Sequence, residues 1–276
     1  MTPAIFERKH ALWLNVLFTS FMIEDEAVKS ELYDHAQIAF RHLRWIAREL
    51  ADNGTAYTYD RAIDLGRPAD SAEALHTLSA AVKSTMALYP DSPLSARMIT
   101  DDEYLIARLE ALRARPGSNT PISAFDRHRT LPGKTLDPAQ TDALTLFLFE
   151  ESYKEYELIL IYAYMQNESS DLLERDIYQD LIDESQFHLK SFGNMMAKMG
   201  ILALPRPLHE QTYKITDIEA FIRNGIGEEE NAKEQCRSLA EAVRDEELSA
   251  FFDFINFQES YHIELMKKLL AQVSPK

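Results

Sequence analysis

The stretch that most constrains the fold of this chain lies near its C-terminus, where a carboxylate and an imidazole interrupt an apolar helical pattern. Hydrophobic residues recur at alternating intervals of four and three from Leu248 to Leu269, which places them on one face of a helix. Glu259 and His262 occupy the middle of that face. Burying a charge without a partner is unfavourable, and a metal ion would relieve this penalty for both groups. A Glu-x-x-His pair that projects inward from a bundle helix is typical of a dinuclear carboxylate site.

Composition and charge limit the classes of function. The chain has 276 residues, of which 46% are hydrophobic, enough for a sizeable core in one or two domains. The net charge of −16 argues against nucleic acid or an anionic membrane surface as a partner. The single cysteine, Cys236, excludes an internal disulfide and cysteine-rich metal sites. No apolar run is long enough to span a bilayer, and the N-terminal residues MTPAIFERKH include no signal-like segment, so we expect a cytoplasmic protein.

The pattern of apolar residues predicts an all-α protein with two halves. The helices predicted in the first half span residues 5–52, with a break near 21–24, and residues 71–89 and 101–115. Those predicted in the second half span residues 138–167, 171–200, 217–223, 227–243 and 246–273. A polar stretch with prolines and glycines, residues 117–136, is predicted to connect an N-terminal helical region (1–116) to an up-down four-helix bundle (137–276).

Polar residues interrupt the apolar stripe of each of the four long helices predicted in the second half. In chain order, these residues are Glu151, Glu184, His188, Glu229, Glu259 and His262. Four carboxylates and two imidazoles, distributed one-two-one-two over four helices, match the ligand set of a di-iron or di-manganese bundle. Glu155 lies on the same face as Glu151, one turn later, and Glu150 is adjacent. The choice between Glu150 and Glu151 stays open, with Glu151 favoured.

Residues 137–273 resemble the ferritin-like superfamily, and its rubrerythrin branch in particular. The similarity lies in the segment GEEENAKEQCRSLAEAV and, after a short turn, in ELSAFFDFINFQESYHIELMKKLL, and it covers about half of the chain. The resemblance implies a bundle that holds two iron ions, two manganese ions or one of each. It implies that the lone carboxylates on two helices, Glu151 and Glu229, and the paired residues Glu184/His188 and Glu259/His262 are the ligands.

Two features depart from that family pattern. Glu184 and His188 are separated by four residues rather than three, although both spacings keep residues on one helix face. A single-turn π-bulge would restore the usual geometry, and without it one of the two residues is not a ligand. The chain also lacks the cysteine motif of a rubredoxin-type iron centre, so the resemblance does not support electron relay through such a centre.

The first half is interpreted as a degenerate copy of the bundle. Glu31 and His35 repeat the four-residue spacing of Glu184 and His188. Residues 102–106 (DEYLI) lie where a Glu-x-x-His helix would be expected, but they include no histidine. A second metal site at Glu31 and His35 is one hypothesis, and a hydrogen-bonded core histidine is the favoured alternative for His35.

The leading functional hypothesis is an oxidoreductase with a dinuclear iron or manganese site that reacts with dioxygen or hydrogen peroxide and takes electrons from an unknown donor. Peroxide reduction, ferrous iron oxidation and substrate oxygenation all stay open. A second hypothesis is iron binding or storage, which predicts a large shell, whereas the enzyme predicts a monomer or a homodimer. A third is a metal-free helical interaction protein, which predicts no metal in the purified protein.

Overall fold

The protein is all-α, as predicted, in the residues that the computed structural model describes: 1–122, 124, 128–202 and 205–273. In these residues the backbone forms nine α-helices and no β-strand, with one isolated bridge between Asp70 and Pro121. None of these helices combines the length and the apolar character that crossing a bilayer requires. The chain divides into two compact units, which we call unit 1 (Met1–Arg127 with Gly200–Pro207) and unit 2 (His128–Met199 with Leu208–Lys276).

Unit 1 has four helices in its described residues. They are α1 (Pro3–Met22), α2 (Glu26–Asp52), α3 (Ser71–Met86) and α4 (Pro93–Arg113). Both α1 and α4 contact α2 and α3, so the four helices enclose one apolar core. The predicted break near residues 21–24 is confirmed, because Asp25 caps α2 by accepting hydrogen bonds from the backbone N–H groups of Ala27 and Val28.

Helix α4 begins at Pro93, earlier than the predicted start at residue 101. The side chain of Ser92 accepts a hydrogen bond from the backbone N–H of Ser95 and caps the helix. Pro93 occupies the first turn, where its missing N–H group removes no helical hydrogen bond. Residues 90–92 therefore lead directly into α4, whereas the prediction placed residues 90–100 outside any helix.

Unit 2 has four long helices and one short helix in its described residues. They are α5 (Pro138–Glu168), α6 (Leu172–Lys198), α7 (Glu210–Tyr213), α8 (Ile218–Val243) and α9 (Glu246–Val273). Helix α5 packs along α6, and α8 packs along α9. Because α5 also contacts α8 and α6 also contacts α9, the four long helices form a closed ring around a shared interior. One face of each long helix therefore points into this shared interior.

Helix α8 is continuous, although two separate segments, 217–223 and 227–243, were predicted. The gap between the two predicted segments contains Gly225, and a glycine inside a helix costs about 1 kcal/mol relative to alanine. A Cβ atom at Gly225 would lie 3.2 Å from Sδ of Met266 in α9. A side chain at position 225 would press against the flexible end of Met266, so the packing of α8 on α9 favours glycine there and offsets its low helix propensity.

Two buried histidines predict that unit 1 loses stability in acid. Burial lowers the pKa of His10 to about 3 and that of His42 to about 4. In an unfolded chain a histidine titrates near pH 6.5. The folded state therefore binds fewer protons than the unfolded state between pH 6.5 and 4. The stabilisation is fully present above about pH 6.5, and it falls by about 1.4 kcal/mol per pH unit for each histidine as the pH decreases.

Urea unfolding followed by tryptophan fluorescence at pH 7 and pH 5 measures this loss. Trp13 and Trp45 are the two tryptophans of the chain, and both lie in unit 1, so the signal reports that unit. The control substitution His76→Gln changes an exposed histidine and should leave the pH dependence unchanged. Equal unfolding free energies at the two pH values would contradict the buried, neutral state of the two histidines.

Candidate metal centre

Buried carboxylates and imidazoles meet in the interior of unit 2. Five of them form two overlapping groups, and within each group the potential ligand atoms lie within 4.8 Å of one another. One group contains Glu155, His188 and Glu259, and the other contains Glu229, Glu259 and His262. Each of these residues is at most 7% exposed. The helices α5, α6, α8 and α9 all contribute to the two groups.

Glu259 belongs to both groups and presents one carboxylate oxygen to each. Its Oε1 lies 3.7 Å from Nδ1 of His188, and its Oε2 lies 3.0 Å from Nδ1 of His262. The centroids of the two imidazole rings are 5.6 Å apart. A carboxylate that faces two neighbouring sets of ligand atoms is positioned to bridge two cations.

Each nitrogen of the His188 ring has its own partner. Nδ1 lies 2.8 Å from Oε1 of Glu155, and Nε2 lies 3.2 Å from Oε1 of Gln258. Because an amide oxygen only accepts, Nε2 donates to Gln258, and Nδ1 faces the carboxylates. Gln258 thus orients the ring as the outer hydrogen-bond partners of metal-bound histidines do. Gln258 was not among the predicted site residues, because it does not belong to the apolar stripe of its helix.

Glu184 lies beside the other nitrogen of His262. Its Oε2 is 2.9 Å from Nε2 of His262, but the angles of this contact are not those of a hydrogen bond. Nδ1 of His262 faces the second group instead, at 3.6 Å from Oε2 of Glu229 and 3.0 Å from Oε2 of Glu259. Glu184 therefore contacts His262 from outside the two groups and belongs to neither of them.

The four-residue spacing of Glu184 and His188 separates the two side chains. Helix α6 contains no π turn between Leu172 and Lys198, so no bulge restores the three-residue geometry. His188 contacts Glu155 in the first group, whereas Glu184 contacts His262. Ser185 occupies the position three residues before His188, and it is fully buried. Its hydroxyl group has no hydrogen-bond partner among the described residues.

The predicted ligand Glu151 is buried one turn before Glu155, but it belongs to neither group. One of its carboxylate oxygens accepts a hydrogen bond of 2.9 Å from Nζ of Lys154. Burial raises the pKa of the Glu151 carboxyl group, and Lys154 partly opposes this effect. Helix α5 thus brings Glu155 to the groups of ligand atoms. The signal that could have selected Glu155 is its position on the same apolar stripe, one turn after Glu151.

The surrounding carboxylates determine the charge of both imidazoles. Burial lowers the pKa of His188, but Glu155 and Glu259 outweigh this effect and raise the pKa to about 9. Burial also lowers the pKa of His262, and its carboxylate neighbours raise that pKa well above the usual range. Burial and the adjacent Glu229 raise the pKa of Glu259 to about 8. In the absence of a metal, the protons on His188, His262 and Glu259 therefore offset the repulsion among the neighbouring carboxylates.

The donor set fits a pair of divalent cations. Carboxylates and imidazoles are the oxygen and nitrogen donors that iron and manganese accept. Oε2 of Glu155 has no hydrogen-bond partner in the described residues, and Oε2 of Glu184 and Nε2 of His262 contact only each other, at 2.9 Å and without hydrogen-bond geometry. A buried polar atom without a partner costs about 1–3 kcal/mol, and coordination would remove this cost. The four carboxylates in and beside the groups, those of Glu155, Glu184, Glu229 and Glu259, carry the charge that two divalent cations balance.

The predicted pair Glu31 and His35 has a different environment in unit 1. Oε2 of Glu31 accepts a hydrogen bond of 3.0 Å from Nη2 of Arg108, and this bond lowers the pKa of Glu31. His35 is buried against Tyr104, with ring centroids 5.7 Å apart, and burial lowers its pKa. Neither Glu31 nor His35 belongs to a cluster of metal-binding groups within the described ranges. This environment favours the alternative of a core histidine.

Comparisons of the chain with protein-family models, with curated proteins and with solved structures found no match. The assignment of a function therefore depends on the geometry of unit 2 itself.

Proposed function

We propose that unit 2 is a ferritin-like four-helix bundle that holds two iron or manganese ions and reacts with dioxygen or hydrogen peroxide. The observation that carries this proposal is the position of Glu259, which offers one oxygen to each of two groups of buried ligand atoms. One ion would be held by Glu155, His188 and Glu259, and the other by Glu229, Glu259 and His262. The closed ring of four long helices, each with at least one of these residues, supports the ferritin-like arrangement.

Two adjacent redox-active cations, when bound, would supply two electrons for the cleavage of an oxygen–oxygen bond, and an external electron donor would reduce them again. The side chains of unit 2 would orient the ligands of these ions and surround the site. Gln258 holds the ring of His188 through its outer nitrogen. Burial, and then the carboxylate of Glu229, raise the pKa of Tyr162, so the phenol stays protonated and neutral at the wall of the site. The electron donor and a cytoplasmic location stay predictions.

An open groove of about 260 Å³ reaches Glu229 and would give small molecules a route to the proposed centre. Its apolar lining comes from three helices and includes Leu158, Ile161, Tyr162, Phe221 and Met266. Glu229, one of the proposed ligands, also lies in the wall of the groove. Dioxygen and hydrogen peroxide are small enough to use such a route.

Filling the groove should slow the reaction without removing the metal. Gly225 lines the groove, and a Cβ atom there meets Met266, so Gly225→Leu should narrow the route. We expect oxidation of the loaded centre to become about tenfold slower, which corresponds to an increase in the barrier of about 1.4 kcal/mol. Stopped-flow absorbance after mixing with peroxide measures the rate, and elemental analysis measures the metal content.

The matched control for this variant is Gly227→Leu in the same helix. A Cβ atom at Gly227 has no neighbour within 4 Å, so this variant shares the change in helix propensity but leaves the groove open. We expect it to react at the wild-type rate. Equal rates for the two variants at equal metal content would show that the groove is not the route.

The proposed reactivity is tested by loading the protein with ferrous iron under anaerobic conditions and mixing it separately with dioxygen and with hydrogen peroxide. We expect oxidation of two iron ions per chain with at least one of these oxidants, faster than that of free ferrous iron in the same buffer. Oxidation at the rate of the free ion with both oxidants would reject the proposed function, even if the metal binds.

A further inference from the structure

The helix pairs α1–α2 and α5–α6 correspond at a constant offset of 146 positions. Both α2 and α6 contain 27 residues, and each is capped by an aspartate, Asp25 and Asp171. Each is followed by a glycine in the left-handed region, Gly54 with φ of 64° and Gly200 with φ of 72°. The two caps and the two glycines are each 146 positions apart. The first helix of each pair also ends at this offset, which indicates one helical hairpin used twice.

A second constant offset, of 157 positions, relates α4 to α9. The buried residues of α4 are Ser95, Met98, Asp102, Leu105, Leu109 and Leu112. The residues 157 positions later are Phe252, Ile255, Glu259, His262, Met266 and Leu269, and all of them are buried in α9. Asp102 therefore corresponds to the bridging carboxylate Glu259. Leu105 corresponds to His262, so α4 lacks the second imidazole.

The two offsets relate a buried cluster in unit 1 to the first ligand group in unit 2. The corresponding pairs are Lys9 with Glu155, His42 with His188, Asp101 with Gln258, and Asp102 with Glu259. In unit 1, Nδ1 of His42 faces Lys9 at 3.2 Å, and Nε2 contacts Oδ2 of Asp101 at 2.9 Å. In unit 2, the two nitrogens of His188 have partners at the corresponding positions. The orientation of the histidine is thus the same in both units.

The ammonium group of Lys9 occupies the centre of the cluster in unit 1. Nζ of Lys9 lies 2.9 and 2.8 Å from the two oxygens of Asp102. The hydroxyl group of Tyr89 donates a hydrogen bond of 2.6 Å to Oδ2 of Asp102. Both Lys9 and Asp102 are buried, so this charge pair is desolvated. A buried cation is thus surrounded by a carboxylate and an imidazole nitrogen, the two donor types that face each other in unit 2.

We infer that Lys9, His42 and Asp102 form a second copy of the centre in unit 2, in which the ammonium group of Lys9 takes the place of a metal ion. Unit 1 therefore holds its buried carboxylate without a metal, and replacing Lys9 with a glutamate opens a latent metal site. The metal part of this inference rests on the proposed function of unit 2, whereas the charge-pair part does not.

The charge-pair part is tested by the melting temperature, followed by tryptophan fluorescence in unit 1. Lys9→Met leaves Asp102 buried without its cation and should lower the melting temperature by more than about 10 °C. The double variant Lys9→Met/Asp102→Asn removes the unpaired charge and should recover at least half of this loss. The control Lys83→Met breaks an exposed ion pair with Glu110 and should change little.

A melting temperature of Lys9→Met equal to that of Lys83→Met would overturn the inference. If Lys9→Met does not fold, the double variant decides: a folded double variant supports the cation role of Lys9, and an unfolded one overturns it.

The metal part is tested in the Glu259→Gln background, in which the centre of unit 2 is disabled. Adding Lys9→Glu should increase the bound manganese or ferrous iron by one equivalent per chain relative to that background. The metal should also raise the melting temperature seen by tryptophan fluorescence, or restore folding if the metal-free variant is unfolded. No additional metal and no response of the fluorescence to metal would overturn the inference. A wild-type chain that binds no metal would instead reject the proposed function, because the gain at Lys9→Glu is measured against its own background.

Discussion

Replacing Glu259 with glutamine should reduce the bound metal from two equivalents per chain to less than half of one equivalent. Glu259 is the residue common to both groups of ligand atoms, and its two oxygens face His188 and His262. An amide keeps the size of the side chain but removes the negative charge that would bridge two cations. Equilibrium dialysis against manganese or ferrous iron, followed by elemental analysis, measures the loss.

The matched control is Glu264→Gln on the same helix. Glu264 is exposed and pairs with Lys267, so its loss should leave both metal equivalents in place. If Glu259→Gln keeps two equivalents, Glu259 does not bridge the ions. If both variants lose metal equally, the loss comes from the general acidity of the helix.

Metal loading should raise the unfolding free energy of the protein by about 4 kcal/mol for each bound ion, or about 8 kcal/mol for two, when the free metal exceeds its dissociation constant 1,000-fold. The Glu259→Gln variant should lose this gain. In the metal-free protein, the same substitution should leave the melting temperature unchanged or raise it, because it removes a carboxyl group whose burial is unfavourable. Thermal unfolding by circular dichroism, with and without metal, measures both effects.

The gain from metal should also increase with pH. The pKa of His188 is about 9 in the folded, metal-free protein and near 6.5 in an unfolded chain. This raised pKa stabilises the metal-free protein fully below pH 6.5, and the stabilisation is lost as the pH rises toward 9. Metal binding competes with the same proton, so it becomes stronger over this range. A metal-induced shift of the melting temperature that is larger at pH 6 than at pH 8.5 would contradict the assignment of His188 as a ligand.

The sequence pattern predicted the helices of unit 2 well where the deciding interactions are local. The stripe in α9 identifies Glu259 and His262, because apolar spacing alone shows which face is buried. The continuity of α8 could not be predicted, since the contact between Gly225 and Met266 joins residues far apart in the chain. The helix propensity of Gly225 is low, but tertiary packing decides that α8 continues through it.

The choice among the carboxylates of α5 shows a second limit. Glu151 and Glu155 lie on the same stripe one turn apart and are both buried, and a small rotation of the helix decides which of them reaches the groups of ligand atoms. In the fold, Lys154 pairs with Glu151, and Glu155 contacts His188. Such a difference depends on how the helices pack, and a periodicity argument assigns both residues equally.

In the first half, the sequence interpretation and the folded structure point to different residues for a copy of the centre. The interpretation of a degenerate copy used Glu31 and His35, which repeat a spacing within one helix, and residues 102–106, which include no histidine. The correspondence that we infer uses His42, whose partners Lys9 and Asp102 are far away in the chain. Because Lys9 stands where unit 2 has a carboxylate, a search for metal ligands does not detect the correspondence between the two units. Only the folded structure shows that Lys9 and Asp102 lie in contact with each other.

The central claim, that unit 2 holds a dinuclear centre, is tested most directly by anaerobic titration of the metal-free wild-type protein with ferrous iron and, separately, with manganese. We predict saturation at two equivalents of at least one of these ions per chain. Saturation at one equivalent would contradict the bridging role of Glu259, and the absence of binding for both ions would reject the metal centre.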